Sequence, residues 1–265
     1  MATSEIADVT PQTVDRLGFF CCMSGPETEG YQQKLRWIKS RFREGLKLKM
    51  ISRGGRGFIE YIPAEHGWRA VDAPGFLLIH CIWIVGKAKG HGCGKALLDC
   101  CIRDAKAQRM HGVVAVTAHG QLGLPETSFF LRHGFEVVDT AEPELKLVGL
   151  KLRKDAPSPH FYGPRKQQPR AVSAGLRVTY SAQCPFARGL VDNLVNLTSN
   201  QKIALRVVQL RSRSEVLKSA PSAYGTFAIT HKGKLLSHLY HRMTGDRLRI
   251  LMGRPDAKAI TSPRF

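Results

Sequence analysis

The chain has 265 residues, of which 43% are hydrophobic, and a formal net charge of +19. That is enough apolar material for one or two packed domains, and no apolar run reaches the roughly 18–20 residues a membrane span needs. The start, MATSEIADVT, lacks a basic-then-apolar leader pattern, so a cytoplasmic protein that makes no use of a membrane is expected.

The charge is unevenly spread. Residues 1–150 hold 19 Lys and Arg against 16 Asp and Glu, and residues 151–265 hold 21 against 5, so the second part carries a net +16. A basic half suits an anionic partner, whether a phosphate-bearing small molecule, an acidic protein face or nucleic acid, and equally a solvated surface. The seven cysteines are odd in number, include two adjacent pairs (Cys21-Cys22 and Cys100-Cys101) and form no C-x-x-C. That arithmetic argues against a disulfide framework and against a zinc site; reduced thiols and no metal are expected.

In chain order, the pattern predicts a short strand at Ile6–Val9 and a helix in Tyr31–Gly45, where Leu35, Ile38 and Phe42 recur at helical spacing. Three strands follow, at Leu46–Ser52, Gly57–Pro63 and Phe76–Val85. A glycine-rich turn then leads to a helix at Lys95–Arg109. Gly112–Ala118 reads as a buried strand, Pro125–Gly134 as a helix stopped by glycine, and FEVVDT and LKLVGLKL as two more strands. This order predicts a mixed α/β domain, a central mixed sheet flanked by helices, over residues 1–153. Residues 154–175 gather prolines and charges and read as a linker. Residues 176–265 form a smaller, basic α/β domain. Its pattern is strand, cysteine-bearing turn, helix, strand, a hairpin turning at Lys232-Gly233, and a last helix.

The turn KAKGHGCGK at Lys87–Lys95 carries the chemistry. A glycine-rich link from strand to helix collects amides that lack intrahelical partners at the positive end of the helix dipole, which makes an anion site. The spacing departs from two familiar phosphate loops. Ala96 follows the lysine where G-x-x-x-x-G-K-[ST] needs Ser or Thr, and the glycines run G-x-G-x-G instead of G-x-G-x-x-G.

What it does match is basic-x-x-G-x-G, Lys89 to Gly94. With the surrounding element order and the later FLRHGF at Phe130–Phe135, this resembles the GNAT (Gcn5-related) N-acetyltransferase superfamily. The resemblance implies an acyl-CoA-binding fold, acetyl-coenzyme A as co-substrate, and transfer of its acetyl group to an amine by direct attack on the thioester. It places the pyrophosphate on Lys89, Gly90, His91, Gly92, Cys93, Gly94 and Lys95. The pantetheine arm would run along Ile82, Ile84 and Val85, with Val116–Ala118 near the thioester. The family's usual tyrosine acid falls on Phe130, which has no proton to give. His80, Glu60 and His119 are the candidate bases, since acetyl transfer needs a neutral amine.

The second domain's order resembles a thioredoxin-like fold, with Cys184-Pro185 opening its first helix, where a helix dipole lowers a thiol's pKa, and with Pro221 ahead of the hairpin. Arg188 stands where a second cysteine would complete C-x-x-C, so a dithiol oxidoreductase is not expected. A GNAT domain with such a tail, carrying AYGTF at Ala223–Phe227, resembles the YoaP-type acetyltransferases, which are bacterial. Cys184, Tyr224 and Gly225 are the substrate or second-domain candidates. Two other readings compete: an acyl-CoA-binding sensor without turnover, and nucleic-acid association through the basic half, which its sparse aromatics disfavour. The acceptor's identity, and the choice between monomer and homodimer, stay open at this level.

Overall fold

Glycine and cap positions set the element boundaries more sharply than apolar periodicity does. In the computed structural model, which describes residues 5–19, 21, 25–53, 55–120, 123–162, 175–238 and 242–253, the Thr28 hydroxyl accepts the Tyr31 N–H (3.3 Å). The helix therefore starts at Glu29, two residues before the expected Tyr31. The elements of the first part are β1 (Glu5–Val9), α1 (Val14–Leu17), α2 (Glu29–Arg41), β2 (Lys47–Arg53), β3 (Arg56–Pro63), β4 (Val71–Asp72), β5 (Phe76–Val85), α3 (Cys93–Ala107), β6 (Gly112–Thr117), α4 (Thr127–Leu131), β7 (Glu136–Ala141), β8 (Leu145–Lys151) and β9 (His160–Phe161). The strands form a seven-stranded sheet in the order β1-β2-β3-β5-β6-β8-β7. Only β5 and β6 pair in parallel; every other neighbour pair is antiparallel.

The sheet is buried on both faces. Ile59, Tyr61, Leu77, Ile79, Val113 and Ala115 meet Leu97, Leu98, Cys101 and Ala105 of α3. On the other face Phe58 and Ile62 meet Trp37 and Ile38 of α2. Each such side chain contributes about 1.5–3 kcal/mol by leaving water. Glu60, between Phe58 and Ile62 on β3, shares the α2 face and is fully buried. Where β3 meets β5 the register shifts: Glu60 pairs with Cys81 and Tyr61 with Ile79, leaving His80 as the extra residue of a bulge. Alternation resumes beyond it, with Ile82 on the α3 side and Cys81 and Trp83 on the α2 side.

The second part comprises β10 (Leu176–Ser181), α5 (Pro185–Asn200), β11 (Leu205–Leu210), α6 (Arg213–Ser219), β12 (Phe227–His231), β13 (Lys234–Ser237) and α7 (Gly245–Leu251). Its sheet runs β11-β10-β12-β13, with β10 parallel to β11 and antiparallel to β12. α5 packs Ala187, Val191 and Leu194 over Val178, Phe227 and Ile229.

Three boundaries differ from the sequence reading. The helix expected at Pro125–Gly134 is only Thr127–Leu131, because Pro125 and Glu126 bridge to Ala118 instead. α6 was not expected at all; Ser212 caps it by accepting the Glu215 N–H (3.2 Å), and Glu215 returns to the Arg211 N–H (2.6 Å). Residues 154–162 of the expected linker are structured: β9 pairs with β4, and Phe161 is buried. Residues 163–174 lie outside the described residues.

The two parts touch closely. A β-carbon on Gly30 of α2 would stand 2.0 Å from the Pro185 carbonyl oxygen of α5, so only glycine lets these helices meet at this distance. The Ala70 N–H donates to Ala223 O (3.1 Å), and Tyr224 Oη donates to Gly123 O (3.0 Å). Gly225 has φ +78°, and a β-carbon there would lie 2.9 Å from Val216 and 3.2 Å from the Trp68 carbonyl, so shape and conformation both require glycine.

Candidate active site

Pairing between β5 and β6 spans only Phe76–Ile79 against Gly112–Ala115. Past that point β5 stays with β3, and Val116 and Thr117 stay with β8. The two central strands therefore part. The gap opens beside the glycine turn, and a cleft of about 780 Å³ occupies the region. Its walls are Ile82, Trp83 and Ile84 of β5, the turn with the start of α3 (Ala88–Gly90 and Gly92–Lys95), and Leu124, Phe129 and His133 opposite.

The turn is shaped by Gly90 and Gly92, both at φ +78° with nothing within 4 Å of where a β-carbon would be. Gly92 is the N-cap of α3 and offers no side chain to its amides. The amides of Gly94 and Lys95 precede the Ala96 N–H, which donates to Gly92 O (3.0 Å). Lys95 itself pairs with Asp99 (2.6 Å). Of the residues expected along the cofactor, Ile84, Lys89, Gly90, Gly92, Cys93, Gly94 and Lys95 line this cleft. Val85, paired with Arg56 at the end of β5, and the exposed His91 are not among its walls.

Trp83 also lines a second, more enclosed chamber of about 210 Å³. This one is built from both parts of the chain. The first contributes Cys21, Lys34, Phe58, Glu60, Arg69, His80, Cys81 and Gly123; the second contributes Gln183, Cys184, Pro185, Phe186, Tyr224 and Thr226. The bulge explains the β5 members: without its extra residue, His80 and Cys81 would lie on opposite faces.

No protein-family profile matches the chain. A curated relative, the uncharacterized N-acetyltransferase YoaP of Bacillus subtilis, is 34% identical over 236 residues, 87% of this chain and 92% of that protein. The chain belongs to the family of this relative, the YoaP family. Solved structures of lower similarity include a GNAT family acetyltransferase from Brucella melitensis in complex with acetyl-CoA. It is 13% identical, covers 62% of this chain and 100% of that one, and has a TM-score of 0.37. Another is the Escherichia coli GNAT family N-acetyltransferase YhbS in complex with CoA: 12% identical, 60% and 89% covered, TM-score 0.39. At such scores these likenesses carry no argument about this chain.

Within the YoaP-family chamber, Glu60 is the electrostatic centre. Burial, the largest single influence, would raise its carboxyl, but the Lys34 ammonium, its buried ion-pair partner, and His80 together outweigh that and hold it at about 2. His80 is lowered to about 4 by burial, partly offset by Glu60, so its ring is neutral near pH 7. Its Nε2 accepts the Trp68 N–H (2.9 Å), which leaves the ring proton on Nδ1, 3.3 Å from Glu60 Oε1. His80 thus has no lone pair to spare. Burial also raises the Cys81 thiol, to about 12, and the Cys21 thiol, so both are protonated near pH 7.

Arg69 crosses between the parts. It donates to Gln183 Oε1, to Trp68 O (3.1 Å) and to His80 O (2.7 Å), and its guanidinium lies 4.1 Å from the centre of the Tyr224 ring. Burial raises the Tyr224 hydroxyl, with Arg69 acting against it. Among the expected bases, His119 is apart from this group: it is exposed and pairs with Glu126 (2.7 Å), a wall residue of the first cleft. Phe130, in the tyrosine's place, is fully buried against Phe129 and Phe135. Lys34, Arg69 and Gln183 escaped the sequence reading. Lys34 lies three residues after Tyr31 and four before Ile38, on the buried face of α2, so a lone lysine in that apolar stripe was the available signal; the other two are isolated polar residues in loops. Among the described residues, no cluster of three His, Cys, Asp or Glu side chains is placed to hold a metal ion, and no helix is long and apolar enough to cross a membrane.

Proposed function

We propose that the chain is an acetyl-coenzyme A-dependent N-acetyltransferase, with the co-substrate in the cleft between β5 and β6 and the acceptor amine in the chamber behind Trp83. The observation that carries this reading is the parting of β5 from β6 beside an open, uncapped glycine turn, next to a separate chamber sharing a wall residue with the cleft. The amides at the start of α3 suit a pyrophosphate. The unpaired edges of β5 and β6 suit an extended pantetheine arm. YoaP's description as an N-acetyltransferase supports the same reading.

In this reading the bound thioester supplies an activated acetyl group, and the chain supplies position and proton handling. Glu60, ionised and fixed by Lys34 and by the neutral His80, accepts a hydrogen bond from the acceptor's nitrogen. His80 acts as a positioning residue for Glu60. A thiolate leaves readily, so the lack of a hydroxyl at Phe130 is not prohibitive. His119 remains the base candidate on the solvent side.

We read residues 1–153 as the acyltransferase domain and residues from 176 on as a thioredoxin-like domain, a reading supported by a parallel β10/β11 pair extended by an antiparallel hairpin. Cys184, the N-cap of α5, then closes the acceptor chamber. Phe130 and the occupied Nε2 of His80 favour a second reading, a binding protein without turnover. Calorimetric titration with coenzyme A and acetyl-coenzyme A, followed by thiol release with an amine panel, separates them. Binding in the micromolar range with turnover is expected. Failure to bind either compound at tens of micromolar sinks both readings; binding without any turnover leaves only the second.

A further inference from the structure

The chamber holds an unbalanced positive charge. Lys34 and Glu60 neutralise each other, and His80 is neutral. Arg69, 2% exposed, has two carbonyls, an amide oxygen and the Tyr224 side chain as partners, and among the described residues no carboxylate. A buried guanidinium without a counter-ion is costly unless something anionic arrives. Its Nε has no hydrogen-bond partner, and neither has Gln183 Nε2, whose amide oxygen is taken by Arg69, nor Trp83 Nε1. Besides His80, whose Nδ1 faces Glu60, three chamber side chains therefore carry unused donors, all buried. Glu60 Oε1 is 3.3 Å from His80 Nδ1 and keeps a lone pair for a further donor. The remaining walls are largely apolar: Phe58, Pro185, Phe186 and the Trp83 ring.

We propose that the acceptor is a small amino-carboxylate with an apolar body, of the size of leucine or methionine. Its carboxylate meets Arg69, Gln183 and Trp83, and its amine meets Glu60. The size follows from volume: a cavity of about 150 Å³ accepts benzene, so about 210 Å³ suits roughly eight to ten non-hydrogen atoms. This rests on the acetyltransferase reading. The acceptor's ammonium first gives one proton to solvent; the neutral amine nitrogen then forms an amide bond to the acetyl carbon, the thioester C–S bond breaks, and the second proton lost by nitrogen ends on the coenzyme A thiolate.

The test compares matched compounds in a thiol-release assay on the full chain: the proteinogenic amino acids, then the leucine set of leucine, leucinamide, 3-methylbutylamine and 4-methylpentanoate. Turnover of leucine- or methionine-sized amino acids is expected, with kcat/KM about 100-fold lower or worse for leucinamide and 3-methylbutylamine, because a site built around a group rejects analogues lacking it. 4-Methylpentanoate should compete with leucine. Arg69→Met should collapse the preference for leucine over 3-methylbutylamine to within about tenfold; if that variant does not fold, the compound series still decides. Equal turnover of 3-methylbutylamine and leucine overturns the proposal and makes Arg69 a tie between the two parts only. Turnover of no amino acid while calorimetry still shows coenzyme A binding also overturns it; loss of that binding removes the acetyltransferase reading beneath it.

Discussion

The Trp68 backbone N–H donates to His80 Nε2 at 2.9 Å, which fixes a buried, neutral imidazole with its proton toward Glu60. Stability should therefore depend on pH. His80 is lowered to about 4 in the folded chain, against about 6.5 when unfolded. Its contribution is complete above pH 6.5 and is lost as pH falls toward 4, because the unfolded chain binds the extra proton. Glu60, held at about 2, adds a loss in the same direction below about pH 4.5. Urea unfolding should show stability falling by a few kcal/mol between pH 7 and pH 4.5, and His80→Gln should flatten that slope. A pH-independent midpoint would contradict the neutral imidazole.

Removing Lys34 alone should be worse than removing it together with Glu60. Lys34→Met strands a buried carboxylate, at about 3–5 kcal/mol, whereas Lys34→Met with Glu60→Leu replaces the pair by apolar groups and should recover most of that. A double-mutant cycle by urea denaturation checks this, and additive losses would count against a coupled pair.

Gly92→Val should weaken coenzyme A far more than it weakens the fold. Nothing in the protein lies within 4 Å of the new β-carbon, so the structural cost is the left-handed backbone, about 1–2 kcal/mol. Lost amide contacts to a pyrophosphate, at about 1.5–3 kcal/mol each, amount to roughly tenfold or more in affinity per contact. Calorimetry beside thermal unfolding separates the two effects.

Gly30→Val should act on the chamber and spare the cleft. Its side chain would collide with the Pro185 carbonyl and push α5 away from α2. Acceptor turnover should fall steeply while coenzyme A affinity stays within about threefold, as titration and thiol release can show. An unchanged KM for the acceptor would mean that α5 does not shape its site.

Much of the first sheet was readable because its strands are continuous apolar runs and its glycine turn is a local device. α6 was readable in principle, since Ser212-x-x-Glu215 is a capping box, but its seven residues bury only Val216 and leave no apolar period. Phe161 was hidden in a proline-rich stretch whose burial depends on β4, ninety residues earlier in the chain.

The sequence alone determined the glycine turn between β5 and α3, because glycine spacing before a helix acts through backbone conformation within a few residues. Tertiary structure decided the chamber. A one-residue bulge turned His80 and Cys81 to the same face, α2 brought Lys34 to Glu60, and a second sheet delivered Gln183, Cys184 and Tyr224. Those meetings join residues far apart in the chain, and side-chain period and spacing carry no record of them.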